Sequence, residues 1–179
     1  LINYVCLYNK FMITDSHTHI GKLRDSIYSE SYEKNLDLIL KEAKQSGVEK
    51  LIIIAGLERK EDGMNLKTKT LLSLIEGQKN IYAVAGFDIL GYQKEDLDEV
   101  ESYLKNKKIV AMKLYTGYQH FYPSDEKCKP VYELGLKYDV PIIYHSGDTL
   151  AGYVKNPKLK YSHPLHIDDV ATDYPDLKI

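Results

Sequence analysis

Cysteine is scarce in this 179-residue sequence: Cys6 and Cys128 are the only two, and they form no C-x-x-C pair. That spacing excludes a disulfide framework and a thiolate zinc site, and it fits a reducing cytoplasmic setting. Long apolar runs are missing as well, since none approaches the ~18 residues that span a bilayer. A charge excess of one sign is also lacking. The 24 basic and 26 acidic residues leave a net charge of −2, which gives no electrostatic footprint for nucleic acid or an anionic membrane. Neither nucleic acid nor a membrane is therefore expected as a partner; a homo-oligomer is compatible with the composition.

What is present is a rhythm. Short β-rich runs alternate with amphipathic helical patterns, without a linker, over a length that suits one domain with a substantial core. Residues 1–11 carry Asn3, Tyr4, Tyr8 and Asn9 where a core strand should be continuous. They read as a peripheral or non-native extension with Met12 as the natural start; the alternative is a strand covering the bottom of the sheet.

The first strand is expected over Ile13–Ile20, followed by a helix with Leu36, Ile39, Leu40 and Ala43 at i, i+3, i+4 and i+7 and Gly47 past its end. Val48–Ala55 is a second strand. A weaker helical pattern holds Met64, Leu71, Leu72 and Ile75 and is closed by Gly77. Ile81–Ile89 is strand three. Asp96, Leu97, Val100 and Leu104 mark helix three, whose acidic start and basic end suit the helix dipole.

Ile109–Tyr115 is strand four, and Ser124 is placed to cap a helix with the stripe Val131, Leu134, Gly135 and Tyr138. Val140–His145 is strand five. Pro164 opens helix five, with Ile167, Val170, Ala171 and Tyr174 in register and Pro175 as its stop; Leu177–Ile179 begins a sixth strand. The alternation predicts an α/β parallel sheet. No glycine-rich phosphate loop follows the first strand, so the expected fold is a (β/α)₈ TIM-type barrel, truncated after about five βα units, over residues 12–179.

The most informative stretch is Asp15-Ser16-His17-Thr18-His19. Alternation on a strand sends His17 and His19 to one face, ~7 Å apart along the chain axis. Two neutral imidazoles so placed can converge on one metal ion, and they fall at the carboxyl end of the first strand, where barrel sites are built. His145 ends the apolar run Val140–Tyr144 and is expected as a third ligand or as a residue contacting metal-bound water. Asp148 either orients a neighbouring imidazole or is an ordinary loop aspartate.

Lys113 interrupts the apolar run Ile109–Leu114. Burying its charge is costly, so it either meets a carboxylate inside the mouth or serves the site. Tyr115, at the end of strand four, and His120, in the tyrosine-rich loop after it, are candidates for substrate contact. His163 and His166 are expected to cap or decorate a helix start, and Asp88 and Glu58 are rim acids.

The H-x-H on strand one, the lysine on strand four and the histidine on strand five together resemble the amidohydrolase superfamily, and most closely its branch that also contains decarboxylases. The phrases Met112-Lys-Leu-Tyr, Val140-Pro-Ile-Ile-Tyr-His-Ser-Gly and His163-Pro-Leu-His-Ile-Asp-Asp-Val carry the likeness, which covers Met12–Ile179. It implies a divalent metal, zinc above others, held by His17, His19 and His145, with Lys113 and His145 as catalytic residues. Some members carboxylate the strand-four lysine to bridge two metals; others use one ion. The pattern also expects a histidine after strand six and an aspartate after strand eight, both past Ile179. The implied reaction is hydrolysis of a C–N or C–O bond by metal-activated water. Metal-assisted decarboxylation is the alternative, and a catalytically incomplete piece is the third reading.

Overall fold

Strand order follows chain order. The computed structural model describes residues 12–21, 31–57, 66–149 and 156–179, and its five parallel strands lie as β1 (Ile13–Thr18), β2 (Val48–Ile54), β3 (Ile81–Phe87), β4 (Ile109–Leu114) and β5 (Ile142–Tyr144). The helices between and after them are α1 (Tyr32–Gln45), α2 (Thr68–Leu74), α3 (Lys94–Lys105), α4 (Lys129–Tyr138) and α5 (Ile167–Asp173). The extension at 1–11, Met64 and Glu58 lie outside the described residues.

The apolar stripes decide which way each helix faces. Leu36 and Ile39 of α1, Leu71 of α2, Val100 and Leu104 of α3, Val131 and Leu134 of α4 and Val170 of α5 all enter one core. Leu51, Ile53, Ala83, Ala85, Met112 and Leu114, from the facing side of the strands, complete it. The opposite face of the sheet holds a separate cluster made of strand residues alone: Ile54, Val84 and Ala111, with Ile52, Val110 and Ile143 against it. A doubly wound sheet places helices on both faces and reverses its strand order. Helices on one face with sequential strands are the arrangement of a barrel wall, here its first five strands. The expected start of a sixth strand is not assigned as a strand; the segment after α5 makes one backbone bond to the sheet, from the Ile142 amide to the Lys178 carbonyl at 2.9 Å.

Local signals account for most boundaries. Ser31 caps α1 by accepting from the Lys34 amide, and Gly47 takes the left-handed φ of +73° that ends it. Asp96 accepts from the Gln93 amide at 2.7 Å, the return half of a capping box on α3.

Three expectations need correction. Ser124 does not cap helix four. A 3₁₀ turn over Glu126–Cys128 intervenes, with Asp125 at its start, and α4 opens at Lys129 without a side-chain cap because the turn already supplies helical backbone ahead of it. The first strand stops at Thr18 and the fifth at Tyr144, so His19 and His145 stand just beyond their strands. Helix five begins as a 3₁₀ turn over Pro164–His166 and becomes α-helical only from Ile167.

Candidate metal centre

The pairing of β1 with β2 is irregular just where the histidines begin. Asp15 lies opposite Leu51 and Thr18 opposite Ile53, so β1 carries one residue more than its partner across that step. Such a bulge bends a strand and re-aims side chains. The Asp15 carboxylate holds the bend by accepting from the His17 amide at 3.0 Å, and that bond above all keeps its pKa below the ordinary value. Past the bulge the imidazoles converge. His17 Nε2 and His19 Nε2 are 3.2 Å apart, with ring planes tilted by 58°.

Two ligands of a tetrahedral ion at about 2.0–2.1 Å each would lie roughly 3.3 Å apart, so the pair has the spacing of a metal half-site. The proton positions agree. His19 Nδ1 faces the Ile54 carbonyl at 3.2 Å, and a carbonyl only accepts, so Nδ1 carries the hydrogen and Nε2 keeps its lone pair. Burial, then the neighbouring His17 and Lys113 charges, push the His19 pKa down to about 4. Burial and Lys113 likewise lower His17, against the pull of Asp15. Both rings are neutral near pH 7, the form a metal requires. On these observations the residues fit a divalent cation.

His145 joins this neighbourhood without joining the pair. Its pKa is lowered by burial first, and it feels the charges of Lys113 and His17. Its Nε2 donates to the Asp148 carbonyl at 2.7 Å, which leaves Nδ1 as the lone-pair nitrogen. Among the described residues no group of three His, Cys, Asp or Glu side chains forms a complete cation site. Asp148 does orient the imidazole, but through its backbone; its carboxylate accepts from the Thr149 amide at 2.8 Å.

Lys113 is 2% exposed, and its ammonium donates to the Tyr144 carbonyl at 3.1 Å. The alternative of an ion pair in the mouth is not met: among the described residues no carboxylate faces this lysine. Burial alone lowers its pKa to about 8. It lies in register between Gly86 of β3 and Ile143 of β5, just above the strand-only cluster.

The expected rim residues are mostly engaged with backbone. Tyr115 is buried and its hydroxyl donates to the Ala55 carbonyl, which ties β4 to the end of β2. His120 bonds the Asn156 carbonyl at 2.8 Å and stacks on Tyr161 at 5.3 Å. His163 accepts from the Leu165 amide, and His166 bonds the Lys160 carbonyl. Asp88 accepts from Gln119 and from the Leu90 and Gly91 amides, so its carboxylate shapes a turn.

Sequence reasoning missed several contributors. The Ile54 carbonyl sets the His19 tautomer. Gly86 and Gly56 allow β2 and β3 to close in beneath the site, Asn35 holds the Gly21 carbonyl at 2.8 Å just beyond His19, and Ser162 reaches the His145 turn. A polar residue inside the α1 stripe, at Asn35, is the one clue the sequence did offer.

Fold and site together define a parallel βα barrel wall that presents a metal-ready histidine pair at its carboxyl end. A family profile described as Amidohydrolase matches residues 14–179, and the chain belongs to that family. Solved structures are similar to it. An uncharacterised TIM-barrel protein from Bordetella bronchiseptica has a TM-score of 0.63 at 20% identity, over 83% of this chain and 51% of that one. A 4-oxalomesaconate hydratase from Rhodopseudomonas palustris has 0.62 at 16%, over 93% and 61%. A 2,6-dihydroxybenzoate decarboxylase from Rhizobium has 0.55 at 14%, over 93% and 64%. The chain thus spans about half to two thirds of the structures it resembles. Comparison with curated protein sequences gives no match. Among the described residues no helix is long and apolar enough to cross a membrane.

Proposed function

We propose that this chain supplies the first part of the active site of a metal-dependent hydrolase acting on a C–N or C–O bond of a small molecule. The observation that carries the reading is the convergence of His17 Nε2 and His19 Nε2, with the His19 tautomer set by Ile54. His17 and His19 would hold a divalent ion, zinc by the nitrogen donors on offer, and His145 would add Nδ1. When bound, such an ion supplies Lewis acidity and activates water near neutral pH.

The chain's own groups do the rest. Neutral imidazoles keep their lone pairs available. Lys113, buried and with no carboxylate facing it among the described residues, would present positive charge where negative charge develops on the substrate. Tyr115 braces the floor. Substrate contacts are assigned to Tyr115 and His120 on position alone.

A second reading, decarboxylation within the same family, draws on Lys113 too, because a buried cation would also stabilise the carbanion left when carbon dioxide departs. The test is zinc content of the purified protein together with turnover of amide, ester, lactone and carboxylic-acid panels. Stoichiometric zinc with hydrolysis is the expected result. Carbon dioxide release without hydrolysis would move the assignment to the second reading, and absence of any bound divalent metal would sink both.

A further inference from the structure

His145 is the one candidate ligand whose ring is held by its own following loop, and what holds that loop is a residue far along the chain. The His145 backbone is pinned on both sides to β4: its amide donates to the Leu114 carbonyl at 2.9 Å, and the Thr116 hydroxyl donates to its carbonyl. The ring has a different anchor, the Asp148 carbonyl. That carbonyl sits in a turn through Gly147, whose φ is +82° and whose missing side chain would have met nothing. The glycine serves conformation, so something else must fix the turn.

Ser162 does so with two bonds. Its carbonyl accepts from the Gly147 amide at 2.9 Å, and its hydroxyl donates to the Gly147 carbonyl at 2.7 Å. Ser162 is 1% exposed, so water does not compete for either bond. Its surroundings are shaped to admit it. A side chain at Gly117 would come within 2.9 Å of Ser162 Cβ and Oγ, and Gly117 itself has the left-handed φ of +85°. The Gly117 carbonyl accepts from the Lys158 amide at 3.1 Å, which fastens the Ser162 segment to the loop after β4.

We infer that Ser162 is a positioning residue for His145: by clamping both polar groups of Gly147 it fixes the Asp148 carbonyl that takes the Nε2 proton, and so keeps Nδ1 as the lone-pair nitrogen. The consequence for metal binding rests on the function proposed above; the consequence for the imidazole does not. Outer groups that orient a ligand commonly change metal affinity about 10- to 100-fold when removed, and one acting through a turn belongs at the low end.

The experiment compares wild type, Ser162→Ala and Ser162→Thr by nitrogen-15 NMR of labelled histidines at pH 8, and by titration with zinc chloride. Wild type should show His145 as the Nε2–H tautomer. Ser162→Ala should show a mixture of tautomers, with zinc affinity about tenfold weaker, and Ser162→Thr, which keeps the hydroxyl, should restore both. Unchanged Tyr132 resonances would establish that the core is intact. His145 resonances in Ser162→Ala that match wild type would overturn the inference. A wild-type protein that takes up no zinc would sink the metal reading alone, and the NMR comparison would still decide the clamp.

Discussion

Gly86 of β3 stands directly against the backbone of Gly56 at the end of β2: a Cβ at position 86 would overlap the Gly56 carbonyl oxygen and lie 2.9 Å from its carbon. Its own φ is unremarkable, so the glycine is required by space. Gly86 is also the register neighbour of Lys113. Gly86→Ala should therefore push the end of β2 outward and cost about 1–3 kcal/mol, the range for overpacking. Urea unfolding measures it, and a midpoint equal to wild type would contradict the close approach.

The histidine pair makes a sharper test. His17→Ala with His19→Ala should abolish bound zinc and turnover together. Because neither side chain belongs to the apolar core, folding should be preserved within about 1 kcal/mol. Metal analysis and circular dichroism on the same sample separate the two effects. Stoichiometric zinc retained by the double variant would exclude these residues as ligands.

Lys113 opposes stability to function. A buried ammonium that faces a carbonyl and, among the described residues, no carboxylate carries desolvation that a single neutral hydrogen bond does not offset. Lys113→Met should leave the unfolding free energy unchanged or raise it by up to about 2 kcal/mol, while turnover falls at least about 100-fold. Equal turnover in the variant would remove Lys113 from the site.

Alkaline pH reports on the core beneath α4. Burial raises the Cys128 thiol from 9.0 to about 12, and burial also raises the Tyr132 and Tyr144 phenols above 10.0. A group whose folded pKa is raised contributes stability below its unfolded pKa and loses it as pH climbs toward the folded one. Lys113, lowered from 10.5 to about 8, has the opposite sign and adds stability between those values. The two trends offset each other near pH 9–10. Above pH 10 the three raised groups prevail, and stability should fall by about 1.4 kcal/mol per pH unit for each proton the unfolded chain has lost. Chemical denaturation from pH 8 to 11 measures this, and a flat profile would contradict the burial of that cluster. On the same grounds, a Cys6→Ser variant should resist alkylation at pH 8 until it is unfolded.

The sequence made the wall of the barrel legible because the wall is written in side chains. Leu36, Ile39, Leu71, Val100, Val131 and Val170 repeat at helical spacing, and all of them point into one core. Lys113 was visible as a polar residue near the carboxyl end of an apolar run, and His17 with His19 as an alternating pair at the end of the first strand. The Ile54 carbonyl and the Gly147 turn were invisible, since a backbone acceptor looks the same at every residue. Ser124 misled because a serine before a helical stripe is a good cap only if the helix starts there, and the intervening 3₁₀ turn moved that start to Lys129. His145 was found, but its dependence on Ser162 joins two loops that the sequence gives no reason to bring together.

The short reach of the histidine half-site bears on how the protein assembles. His17, His19 and the Ile54 carbonyl all lie on or next to the first pair of strands, so the groups that face one another in that half-site come early in the chain. On the function proposed above, a ribosome that has released β2 has already released the groups that would hold the ion first. Capture there would weight the earliest strand pairing energetically, ahead of Lys113 and His145, which must await the folding of β4 and β5.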